Sequence, residues 1–189
     1  MTNQSLSERH DLLFKSSVGI IQPFLPGANG GAPLAVVGRE RELEGACEAL
    51  REVFRINPKS YSAQWFLGQA HRLLDEQEEA YAGFKAAYSL GAANVDVCRE
   101  FVIQCLWTGR GAEAVSVSAE LLRRFTPDAG LIANHALAQL VAGDVAGAQS
   151  SGARALSMSP DDAVTNRLST MIDDVAAGRR ERPVRWPLR

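Results

Sequence analysis

AQWFLGQAHRLLDEQEEAYAGFKAA, Ala63 to Ala87, contains two mostly apolar segments around the polar stretch Asp75-Glu76-Gln77. The second segment places Ala80, Phe84 and Ala87 four and three residues apart, on one face of a helix. The first carries Leu67-Gly68. Gly68 and Ala80 are small where two helices must meet; a bulky side chain there would hold the backbones apart. The stretch therefore reads as a helix, a turn and a second helix.

The same unit recurs along the chain. Ala46, Ala80, Ala114 and Ala148 are each 34 residues apart, and Asp75, Gly109 and Gly143 keep that interval five residues earlier. A period of 34 is that of a helix-turn-helix repeat. Asn57-Pro58, Thr126-Pro127 and Ser159-Pro160 place a capping side chain before a proline, a helix-start signal. Gly91, Gly109, Gly143 and Gly178 mark helix ends. These marks predict helices over 40–56, 60–74, 77–90, 95–108, 111–124, 129–142, 145–158 and 162–177. Residues 1–39 read as a flexible arm and linker. The apolar run from Leu12 to Leu25 is interrupted by Ser16, Ser17, Gly19 and Pro23, and PGANGGAP follows from Pro26 to Pro33.

The 63–87 stretch resembles the tetratricopeptide repeat (TPR). That family places an aromatic and Leu-Gly on the first helix, and Ala, a bulky apolar residue and Ala on the second. Leu67, Gly68, Ala80, Phe84 and Ala87 match; Trp65 stands one place late, His71 takes the later aromatic place and Ala92 the proline place. Ala114 and Ala148 match in the following units, although Val102 and Ala136 replace the glycine, and Ser118 and Gly152 the bulky residue. The resemblance implies an all-α fold, a right-handed superhelix of about three and a half helix pairs over 40–177. The opening pair lacks its first helix, and the last helix is a solvating cap.

It also implies a function. First helices in this family line a groove that accepts a peptide or helix. By position, the groove carries Trp65, Gln69, Arg72, Arg99, Ile103, Leu106, Ala133, Leu137 and Leu140. The carboxylate clamp of chaperone-binding members is contradicted, because Asp96 and Glu100 stand where cations are needed. Type III secretion chaperones are similar in length and repeat number.

The net charge of −2 argues against a protein that coats nucleic acid. The end of the chain differs: residues 178–189 form a basic tail, with five arginines against one glutamate from Arg179 to Arg189. Arg179, Arg180, Arg182 and Arg185, with Trp186 among them, suit an anionic surface, nucleic acid, or a segment that folds back near Asp96 and Glu100. Cys47, Cys98 and Cys105 lack metal or disulfide spacing and read as buried apolar residues in a reducing, cytoplasmic setting. The polar N-terminus has no secretion signal, and no run is long and apolar enough to span a membrane. Val36–Glu44, VVGRERELE, is similar to the segment preceding the nucleotide site of some ATPases, yet no GxxxxGK[ST] follows. His10, His71 and His135 have no metal-ligand spacing. The expectation is a non-enzymatic scaffold, adaptor or chaperone that needs no cofactor or metal and holds a protein or peptide. Two alternatives are a contact through the arginine tail and a subunit of a larger assembly whose neighbour completes the first repeat.

Overall fold

A computed structural model describes residues 3–26, 34–91 and 93–186; the side chains of residues 3 and 4 lie outside the description. Most of the linker and the proline-place residue Ala92 lie outside the described residues. Among the described residues there are nine α-helices and no strand. The chain divides into two compact units, residues 1–93 and 94–189.

The first unit holds α1 (Asn3–Ile21), α2 (Glu40–Ile56), α3 (Tyr61–Leu73) and α4 (Gln77–Gly91). The α3/α4 pair is the 63–87 stretch, and its small residues act as expected. A Cβ on Gly83 would lie 2.8 Å from Gly68 N, and one on Gly68 would lie 3.0 Å from the Phe84 ring. Ala80, Phe84 and Ala87 are fully buried. Close backbone approach thus fixes how the two helices cross, and Phe84 fills the space between them.

Helix α1 corrects the sequence reading. Residues 3–21 do not form a flexible arm; they form a 19-residue helix packed on α2. The opening pair is therefore complete. Ile21, Leu43, Ala46, Leu50 and Val53 share one core, with Phe14 and Leu13 against it. The apparent interruptions are compatible with this helix. The Ser17 hydroxyl donates to Leu13 O at 2.9 Å, within its own helix. Pro23 follows the end of α1, in a 3-10 turn at Gln22–Phe24.

The second unit holds α5 (Val95–Trp107), α6 (Gly111–Arg124), α7 (Ala129–Ala142), α8 (Val145–Met158) and α9 (Ala163–Ala176). Helices α5 and α6 form one pair and α7 and α8 the next; α7 also touches α5 and α9, so the first helices adjoin one another. Ala114 and Ala148 are fully buried, as is Ala46 in the first unit.

The helix starts follow side-chain chemistry, but at other residues than the prolines suggest. Ser60, Asp128 and Asp162 are the caps, accepting from the N–H of Ala63, Leu131 and Thr165 at 3.3, 2.7 and 2.7 Å. Asn57, Thr126 and Ser159 belong to the preceding turns. Asp75, Gly109 and Gly143 all have positive φ, so their shared interval marks the left-handed residue that ends each first helix.

Candidate functional site

The residues expected to line a groove meet different fates. In the first unit Trp65 is half-buried. It stands edge-on to Phe66, with ring centroids 4.8 Å apart. Phe66 meets Phe14 of α1 at 5.8 Å, and Phe14 stacks on His10 at 6.3 Å. The face that α1 and α3 share is thus filled by rings. The indole Nε1 of Trp65 is enclosed without a hydrogen-bond partner among the described residues. Gln69 is buried. The Arg72 guanidinium lies 4.4 Å from the centre of the Phe84 ring, a contact between α3 and α4.

In the second unit Arg99 is also committed. It pairs with Asp96 at 3.3 Å and with Asp128, the cap of α7, at 3.1 Å, tying α5 to α7. The space beside it is a void of about 10 Å³ against Val102, Ser118 and Leu121, too small for a ligand. Ile103 is half-buried, and Leu106 and Leu140 are core residues. Leu137 and Ala133 line a larger open space.

That space is a cleft of about 700 Å³ between α7 and α9. Ala133, Asn134 and Leu137 form one wall. Val164, Arg167, Leu168 and Met171 form the other, and Arg180 and Trp186 contribute from beyond the last helix. A volume of ~300–1,000 Å³ with a mostly apolar lining and few polar groups is what small ligands and peptide side chains occupy. Helix α9 is thus more than a solvating cap. Its signal was present in the sequence as a second apolar stripe, Val164, Leu168 and Met171, spaced by four and three, beside the buried Ile172. Val164 stays 63% exposed, although valine favours burial.

The basic tail is ordered through Trp186. Arg182 donates to Val141 O at the C-terminal end of α7, a place that favours a cation. Pro183 is buried, and Trp186 N donates to Leu106 O at the end of α5 at 2.9 Å. The segment passes over Gly109, where a Cβ would lie 3.2 Å from Val184 O. The tail therefore straps the C-terminal ends of α5 and α7, and not the end near Asp96 and Glu100. Arg179 is bonded to Asp174 through Nε at 2.9 Å. Arg185 lies beside Gly109. Residues 187–189 lie outside the described residues.

Other chemistry-bearing groups are turned inward. The Ser118 hydroxyl donates to Ala114 O at 2.6 Å and meets His135 Nδ1 at 2.8 Å. Its proton is committed to the helix, and it is buried, so the pair does not present a nucleophile. Burial holds His135 below the usual histidine range. His71 Nδ1 meets Glu76 at 2.5 Å inside the first unit. Burial pushes the Cys47 thiol up to about 11, which suppresses the reactive thiolate. No cluster of metal-ligating side chains occurs among the described residues, and no described helix is long and apolar enough to cross a membrane.

Solved structures with this arrangement are TPR proteins. YrrB, a TPR protein with an unusual peptide-binding site, superposes with a TM-score of 0.62 at 16% identity, over 77% of this chain and 75% of its own. The chain has a TPR-like fold. MamA from Desulfovibrio magneticus gives a TM-score of 0.70 at 14% identity over 90% and 86% of the two chains. PilF from Pseudomonas aeruginosa gives 0.62 at 16% over 93% and 71%. No protein-family profile and no curated protein sequence matches the chain. The TPR-like fold rests on the shared helix-pair geometry and on the Leu67-Gly68…Ala80…Phe84…Ala87 signature.

Proposed function

We propose that the chain is a non-catalytic protein-interaction module and that the cleft between α7 and α9 holds a peptide or helix of its partner. One observation carries the reading: between α7 and α9 a cleft stays open above the buried Leu137 and Met171, with Leu168 half-buried and Val164 exposed along it, and Trp186 is strapped at its edge. An aromatic ring with an indole N–H at the margin of an apolar cleft is a common anchor in protein recognition. The TPR-like fold supports the reading, as first helices in such pairs form a continuous face and YrrB carries a peptide-binding site. An aliphatic side chain of the ligand would enter between Leu137, Leu168 and Met171.

The test is affinity capture from cells with the wild-type chain and with Leu137→Glu and Met171→Glu, each checked for unchanged helical circular dichroism. Partners lost in both variants support the cleft. Capture that persists in two folded variants overturns it. The groove expected from the sequence at Trp65, Arg72 and Arg99 does not enter this proposal, because Trp65 packs on Phe66, Arg72 on Phe84 of α4, and Arg99 on Asp128 at the start of α7. The unpaired-edge motive for a larger assembly also lapses, since α1 completes the first pair.

A further inference from the structure

The lining of the cleft has a charge pattern that specifies its ligand further. Asp174 lines the cleft, but Arg179 holds its carboxylate at 2.8–2.9 Å. Asp162, at the start of α9, accepts from both the backbone N–H and the hydroxyl of Thr165 through one carboxylate oxygen, at 2.7 and 2.6 Å. Arg180 lines the cleft and has no acidic partner among the described residues. The cleft lining thus holds two guanidiniums, Arg167 and Arg180, against one carboxylate, Asp174, which Arg179 already pairs, in a chain whose net charge is −2. Asn134 adds an amide that can bond a peptide backbone.

Arg180 and Trp186 belong to the strap, not to a repeat. Four observations hold that strap in register: Arg182 on Val141 O, Pro183 buried, Val184 over Gly109, and Trp186 N on Leu106 O. A strap already held on the helices spares the cost of ordering a free tail when a carboxylate meets Arg180. Without the strap the cleft would lose its aromatic margin and half of its positive charge.

We infer that the cleft is built for an apolar segment flanked by acidic side chains, with the aliphatic anchor between Leu137 and Met171, the ring of Trp186 against it, and separate carboxylates on Arg180 and on Arg167. This rests on the cleft being a ligand site, and it goes further by assigning the chemistry of the ligand and giving the C-terminal strap a role in binding.

Two synthetic amphipathic peptides with identical leucine anchors, one flanked by glutamates and one by lysines, test it by fluorescence anisotropy against the full chain. The glutamate peptide is expected to bind about tenfold more tightly at low salt. Arg180→Glu should abolish that preference, and Trp186→Ala should weaken the glutamate peptide by about tenfold. Equal affinity for the two peptides, both lost in Leu137→Glu, would overturn the carboxylate assignment and leave the cleft as an apolar site. Binding of neither peptide, or binding unaffected by Leu137→Glu, would remove the cleft reading and this inference together. Displacement of the glutamate peptide by a single-stranded oligonucleotide, with its own dependence on Arg180, would overturn the peptide assignment in favour of nucleic acid.

Discussion

The α3/α4 pair and the α7/α9 neighbours are built from the same kind of helix but differ in what lies between them. In the first, Gly68 and Gly83 bring two backbones within contact distance and Phe84 seals the remainder. In the second, α9 presents Val164, Leu168 and Met171 toward Leu137 and no bulky ring fills the space, so a cleft of about 700 Å³ persists. Close packing follows where a small residue on one helix faces a large one on its partner; an opening follows where two rows of medium side chains face each other without one. In this chain a segment outside the repeats partly supplies the missing ring.

The comparison can be broken most sharply at its closed side. Phe84→Ala should lower stability by about 3–5 kcal/mol, read from urea denaturation, because the ring is fully enclosed and its neighbours cannot collapse around the void. Gly83→Ala should cost about 1–3 kcal/mol by forcing a methyl against Gly68 N. A loss below ~0.5 kcal/mol in both would show that the pair is not held by close approach. On the open side, Gly143→Ala should cost about 1 kcal/mol, since its φ of +96° suits glycine. Asp75 is at the equivalent place with φ +59°, so Asp75→Gly should be neutral or stabilise by up to ~1 kcal/mol. Opposite signs at two places two repeats apart would confirm that both hold the same backbone conformation.

The smallest effect is expected from His135. Burial depresses its pKa in the folded chain below the ordinary 6.5, so the unfolded chain binds the proton first as pH falls. Stability from the neutral imidazole is complete above that value and is lost as the pH drops through the folded pKa. Urea midpoints for wild type and His135→Gln should therefore diverge least in acid, with the wild type showing the steeper fall. A parallel pair of curves would place His135 outside this account.

The sequence was most legible where local chemistry and packing agree. Each predicted helix from residue 40 onward matches an observed helix to within about two residues. Alanines, left-handed residues and apolar stripes recur there at one interval, so each mark supports the next. Helix α1 was missed because its signal is weak by itself: it is weakly amphipathic, and Ser16, Ser17 and Gly19 are poor helix residues. Its burial against Leu43, Ala46 and Leu50 decides its state, and only those contacts show that Ser17 is satisfied within its own helix. Of the groove residues the sequence points to, Ala133 and Leu137 line the cleft, and Arg180 and Trp186 reach it from the tail. Arg72 and Arg99 occupy groove positions by spacing, yet long cationic side chains can turn toward a ring or a cap, as both do here.

The sequence by itself determined the helical repeat, its interval and the small residues that set its closest approach, because these depend on neighbours within one helix-turn-helix unit. The tertiary structure alone decided that residues 3–21 are helical, that the arginine tail is a strap and that the open space lies between α7 and α9. Each depends on partners far apart in the chain: Ser17 and Ala46, Arg182 and Val141, Trp186 and Leu106. No periodicity in a sequence reports which distant carbonyl a tail N–H will find.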